Sequence, residues 1–98
     1  KRLNTIDEIN RWAAYLRDRR GCDLVILLSH LGFDDQATYD RPDDVMVIGN
    51  SRNIDAVIGG HSHTFLEEAY EAKDLDQRIV PIVQVGRRGL SVGRMDIY

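Results

Sequence analysis

The stretches Asp23-Leu24-Val25-Ile26-Leu27-Leu28-Ser29-His30 and Ile54-Asp55-Ala56-Val57-Ile58-Gly59-Gly60-His61-Ser62-His63 decide how this chain folds. Both contain continuous apolar runs, too short for a helix and without the polar alternation of a half-exposed strand. Such runs are typical of parallel strands covered on both faces. The residues between them leave room for the crossover that a parallel pair needs. Strand, crossover and strand imply two parallel members of an α/β sheet, joined by a right-handed connection.

Upstream, Ile6, Ile9, Ala13 and Leu16 follow the three-and-four spacing of one buried helical face, which predicts a helix over residues 5–20. Asn4 or Thr5 is placed to cap it, and Gly21 to end it. Asp7 and Glu8 fall in its first turn, and Arg17, Arg19 and Arg20 in its last, as the helix dipole favours. Trp12 reads as a partly buried helix residue.

Residues 30–44 are polar, with Gly32, Pro42 and aspartates at 34, 35, 40, 43 and 44, and read as a long loop. A short helix is expected from 43 or 44 to about 51, with Val45 and Ile48 inward and Gly49 weakening it. Residues 65–77 look irregular. A third strand is expected over 79–85, and Pro81 within it points to an edge position or a late start. Gly86-Arg87-Arg88-Gly89 reads as a turn and residues 90–98 as a fourth strand, antiparallel to the third. The expected fold class is therefore α/β, a βαβ unit plus a C-terminal antiparallel hairpin.

Composition narrows the function. Ninety-eight residues, 43% hydrophobic and 30% charged, support one small domain. A net charge of -3 argues against binding to a nucleic-acid polymer, which calls for a basic excess. No apolar run approaches the ~20 residues of a membrane span. The single cysteine, Cys22, excludes an internal disulfide framework and a multi-cysteine zinc site, and reads as a half-buried residue at a strand entrance.

All three histidines follow a buried strand: His30 after the first, His61 and His63 after the second. Ligands of open α/β sheets bind beyond the carboxyl ends of the strands. Parallel neighbours lie ~4.8 Å apart, which lets two imidazoles converge on one ion with bonds of ~2.0–2.1 Å. A tight turn after Gly59-Gly60 fans His61 and His63 apart, so that they chelate one ion or serve separate members of a metal pair ~3.5–4 Å apart. A hydrolytic pair also needs carboxylates. The aspartates from 34 to 44 either supply them or form a solvated surface.

The segments 22–32, 54–64 and 80–86, in this order, resemble the calcineurin-like metallophosphoesterases, and most of all their 5′-nucleotidase and UDP-sugar hydrolase branch. The resemblance covers nearly the whole chain. It implies a two-sheet α/β sandwich holding two divalent metal ions, such as zinc or manganese, and hydrolysing nucleotides or other small phosphoesters by in-line attack of activated water.

By this resemblance His30 and His61 bind the second metal and His63 the first. The family's earlier motifs have no counterpart here: an Asp-x-His, a Gly-Asp with the bridging aspartate, and an Asn-His with the catalytic histidine. Residues 1–98 are thus expected to form the C-terminal half of a catalytic domain, with no catalytic residue of their own and dependent on the upstream half. Phe65 is a candidate to stack on a base. Arg87 and Arg88 either approach a substrate phosphate or form a solvated tip.

Overall fold

A computed structural model describes residues 4–33, 37–38, 40–86, 89 and 92–96. Helix α1 covers Thr5–Ala14, and the Asn4 side chain caps it by accepting from the Asp7 N–H at 3.0 Å. A π-helical turn, Tyr15–Arg19, continues it, and Gly21 follows with a φ of 66°. Ile6 and Ala13 are buried, and Ile9 and Leu16 pack against the core, as the periodicity requires. Trp12 differs from expectation. It is 56% exposed, set edge-to-face against Tyr15 and under the Arg11 guanidinium.

Strand β1 is Ile26–Leu28 and β2 is Ala56–Ile58, with helix α2, Asp44–Gly49, between them. They pair in parallel with Leu27 opposite Val57. Strands β3, Tyr70–Lys73, and β4, Ile79–Val83, complete a mixed sheet of order β1-β2-β4-β3. The βαβ unit and an antiparallel hairpin are thus both present.

The hairpin is made by other residues than expected. The antiparallel partner of β4 is β3, in the stretch read as irregular, with Ala72 opposite Val80. Only Ala72 of β3 is buried, so four residues carry a single core contact and no periodicity betrays them. Residues 92–96 form no strand, and the flanking positions 90, 91, 97 and 98 lie outside the described residues.

Pro81 also sits differently. Strand β4 is interior, not an edge, yet its parallel ladder with β2 begins only at Ile82, opposite Val57. The missing N–H of Pro81 therefore removes no rung on that side.

The core lies on one face of the sheet. Val57, Val80, Ile82 and Ala72 meet Ala13 and Ile48 from the two helices, with Leu27 packed alongside. The opposite face carries Ile26, Leu28 and Ile58 in the open, Leu28 at 75% exposure. The covering expected on both faces of β1 is therefore absent among the described residues. β1 is the sheet's edge, and the helices pack on one side only.

Arg17 ties the end of the π-helical turn to the starts of both parallel strands. Its guanidinium donates to the Asp23 carbonyl at 2.9 Å, the Asn53 carbonyl at 2.8 Å and Asp55 Oδ2 at 2.6 Å. Arg78 reaches Asp55 Oδ1 at 2.6 Å, and the Val25 N–H donates to Asp55 Oδ2 at 2.8 Å.

Candidate metal centre

Parallel pairing brings the carboxyl ends of β1 and β2 side by side, and the Ser29 N–H extends the ladder by donating to the Ile58 carbonyl at 2.9 Å. His30 and His61 leave from these ends. Their rings meet edge-to-face with centroids 5.0 Å apart, and both side chains are exposed. A Cβ on Gly60 would lie only 3.2 Å from His30 Nδ1, so the missing side chain is what lets the imidazole settle there.

The turn after Gly59-Gly60 is as tight as expected. The Ser62 N–H donates to the Gly60 carbonyl at 3.0 Å, closing a γ-turn around His61, whose φ is 77°. His63 also has a positive φ, 56°. Such backbone costs on the order of 1–3 kcal/mol per non-glycine residue and persists where surrounding structure over-determines it.

That surrounding structure is a buried polar network. Gln84 is buried, and its Oε1 accepts from the Thr64 N–H at 2.6 Å and from Ser62 Oγ at 3.4 Å. Ser62 Oγ in turn accepts from the Phe33 N–H at 3.1 Å and shares a 2.7 Å hydrogen bond with Thr64 Oγ1. His63 is thus bracketed by two anchored neighbours.

Asp43 and Asp44 overturn the solvated-surface alternative for their part of the aspartate cluster, since both are buried. Asp43 is the N-cap of α2, accepting from the Met46 N–H at 2.8 Å. Asp44 is fully buried; its Oδ1 accepts from Ser29 Oγ, and its N–H donates to the Gly32 carbonyl at 2.8 Å. Burial pushes the Asp44 carboxyl above the usual carboxylate range; the Ser29 hydrogen bond opposes this and the nearby Asp43 adds to it.

Sequence reasoning missed Gln84, and it placed Asp44 only among loop aspartates that either supply carboxylates or face solvent. A polar residue inside the apolar run Val80-Pro81-Ile82-Val83-Gln84-Val85, and an Asp-Asp pair opening a helix, were the available signals.

Of the expected site residues, the structure brings His30 and His61 together. Among the described residues, no three His, Cys, Asp or Glu side chains converge closely enough to hold one ion, so His63 does not complete a set with them. Phe65 is exposed and bridges in antiparallel fashion to Val85. Arg87 and Arg88 lie outside the described residues. Two accessible imidazoles fit as a two-nitrogen share of a divalent-metal site that needs further ligands.

No family model matches the chain. It is 29% identical to an apyrase of Aedes albopictus over 97% of its own length, and 29% identical to a 5′-nucleotidase of Diplobatis ommata over 80%. The chain spans 18% and 14% of these relatives' lengths. Its fold matches the crystal structure of a 5′-nucleotidase precursor from Thermus thermophilus with a TM-score of 0.70 and 21% identity, covering 84% of this chain and 17% of that one. The mixed sheet thus shares the fold of that 5′-nucleotidase precursor. In sequence the chain is similar to proteins named apyrase and 5′-nucleotidase.

Proposed function

We propose that this chain supplies histidine ligands to a two-metal phosphoesterase site that hydrolyses nucleotides, and that residues 1–98 correspond to the C-terminal half of the catalytic domain. The observation that carries this reading is the His30–His61 pair, held edge-to-face at 5.0 Å on adjacent parallel strand ends. The names of the relatives support the nucleotide substrate, and their greater length supports an upstream half that completes the ligand set.

His30 and His61 bind through ring nitrogens, and the γ-turn around His61 orients its imidazole toward that of His30. His63 projects from the same loop to serve the other ion of the pair. Divalent ions, zinc or manganese, would supply Lewis-acid stabilisation of the phosphate and activation of water. Phe65 offers an exposed face to a nucleobase, and Arg87, outside the described residues, is the proposed phosphate contact. Among the described residues no helix is long and apolar enough to cross a membrane. Export to a periplasm or cell surface is the location the family resemblance favours.

A second reading, a metal-binding or structural half-domain with no chemistry of its own, is favoured by the lack of a three-ligand cluster among the described residues. Two measurements separate the readings. Zn²⁺ or Mn²⁺ titrated into the chain should bind, and His30→Ala and His61→Ala should each weaken binding at least about tenfold. Equal affinity in all three proteins overturns the ligand assignment. Aryl phosphate turnover should be negligible for the chain alone and appear when the upstream half is supplied. If the completed domain binds metal but stays inactive, the second reading holds.

A further inference from the structure

We infer that Asp44 and Gln84 form a polar latch across Gly59 that positions His30, His61 and His63, and that Asp44 is a positioning residue for the site. This rests on the proposed metal centre for its purpose, though not for its geometry.

Asp44 Oδ2 and Gln84 Nε2 are both buried and without a hydrogen-bond partner among the described residues. Both point at one place. A Cβ on Gly59 would collide with Asp44 Oδ2 and come within 3.5 Å of Gln84 Nε2. One atom is an acceptor and the other a donor, facing a notch that exists because residue 59 has no side chain. A small side-chain shift into direct contact, or one bridging water, would satisfy both groups, and leaving both unpaired is costly in so buried a place.

The latch reaches every histidine loop. On the Asp44 side, Oδ1 accepts from Ser29 Oγ, which itself accepts from the Leu31 N–H at 3.1 Å, so the residues flanking His30 are both held. On the Gln84 side, Oε1 holds Thr64 and Ser62, the neighbours of His63, and Gly59 itself leads through Gly60 into the γ-turn of His61. Asp44 and Gln84 are themselves buried beneath these loops. They act by fixing the backbone from which the imidazoles project.

The test is a swap of donor and acceptor. Asp44→Asn sets an amide donor against the Gln84 donor, and Gln84→Glu sets a carboxylate against the Asp44 carboxylate. The double variant restores a donor facing an acceptor with the polarity reversed. The readouts are imidazole ¹⁵N and ¹H shifts of the metal-free chain and its Zn²⁺ affinity.

Each single variant should move the His30 and His61 signals and weaken Zn²⁺ binding about 10–100-fold, the usual cost of losing an outer partner of a metal ligand. The double variant should return most of both. Single variants that lower the unfolding temperature while leaving imidazole shifts and affinity unchanged would overturn the inference, as would a double variant no better than its parents. Should the Asp44 variant not fold, Ser29→Ala cuts the same chain one link away and must move the His30 signal. Absence of Zn²⁺ binding by the wild type would sink the metal reading, while the metal-free shifts would still decide the latch.

Discussion

At the amino end of the parallel strands Asp55 lies between two guanidinium groups and a backbone N–H, whereas at the carboxyl end the more deeply buried Asp44 meets one hydroxyl and a glycine notch. The two carboxyls respond in opposite directions. Burial raises the Asp55 carboxyl, but hydrogen bonds from the Val25 N–H, Arg17 and Arg78 outweigh it and hold Asp55 below the usual range. At Asp44 burial outweighs the Ser29 hydrogen bond and holds the carboxyl above that range. One end of the sheet uses its polar groups to close the fold. The other leaves two atoms unpartnered, among the described residues, beneath an exposed histidine pair. That is a common pattern where stability is given up for a site.

The largest expected effect tests the compensated end. Asp55→Ala removes the bonds from Arg17, Arg78 and the Val25 N–H together, and should destabilise the chain by roughly 3 kcal/mol in urea unfolding. A loss below about 1 kcal/mol would mean that Asp55 is no anchor. Gly59→Ala tests the other end by filling the notch. The added methyl must displace a buried carboxylate, which should cost about 1–3 kcal/mol and shift the His30 and His61 resonances together. A change confined to one histidine would show that the two loops are not held in common.

The pH dependence sharpens the contrast. With a depressed native pKa, the contribution of Asp55 is present above its unfolded value and is lost as pH falls through the native one, below roughly pH 4. Asp55→Asn should flatten that acid limb, which one proton can steepen by at most about 1.4 kcal/mol per pH unit. For Asp44 the sign reverses. Its native pKa is raised, so its contribution is complete below the unfolded value and is lost as pH rises through the native one. Asp44→Asn should therefore gain relative stability toward neutral pH. Equal pH slopes in the two variants would erase the distinction.

The smallest effect comes from Arg78→Met. Arg78 is about half exposed, so solvent screens its bond to Asp55, and the loss should stay under about 1 kcal/mol. A larger loss would mark Arg78, beside the half-buried Arg17, as an equal member of the clamp.

Much of the fold was legible in the chain because its two parallel strands and first helix carry long, consistent apolar patterns. Leu24 to Leu28 and Ile54 to Ile58 could hardly be anything but adjacent strands, and their closing residues put His30 and His61 at one sheet end. β3 escaped notice because Tyr70-Glu71-Ala72-Lys73 presents a single core residue; its strand state comes from β4, which supplies the backbone partners. Pro81 misled because the rule against proline in interior strands concerns a missing donor, and the register of β4 on β2 begins one residue later.

By itself, then, the sequence determined the βαβ order, the helical stretch that closes at Gly21, and the placing of three histidines at strand ends, all of them consequences of local pattern and spacing. Only the tertiary structure decided that Asp44 and Gln84, 40 positions apart in the chain, share the space left by the missing Cβ of Gly59. Burial and hydrogen-bond partnership are set by what folds against a residue, and no local pattern encodes which neighbours those will be.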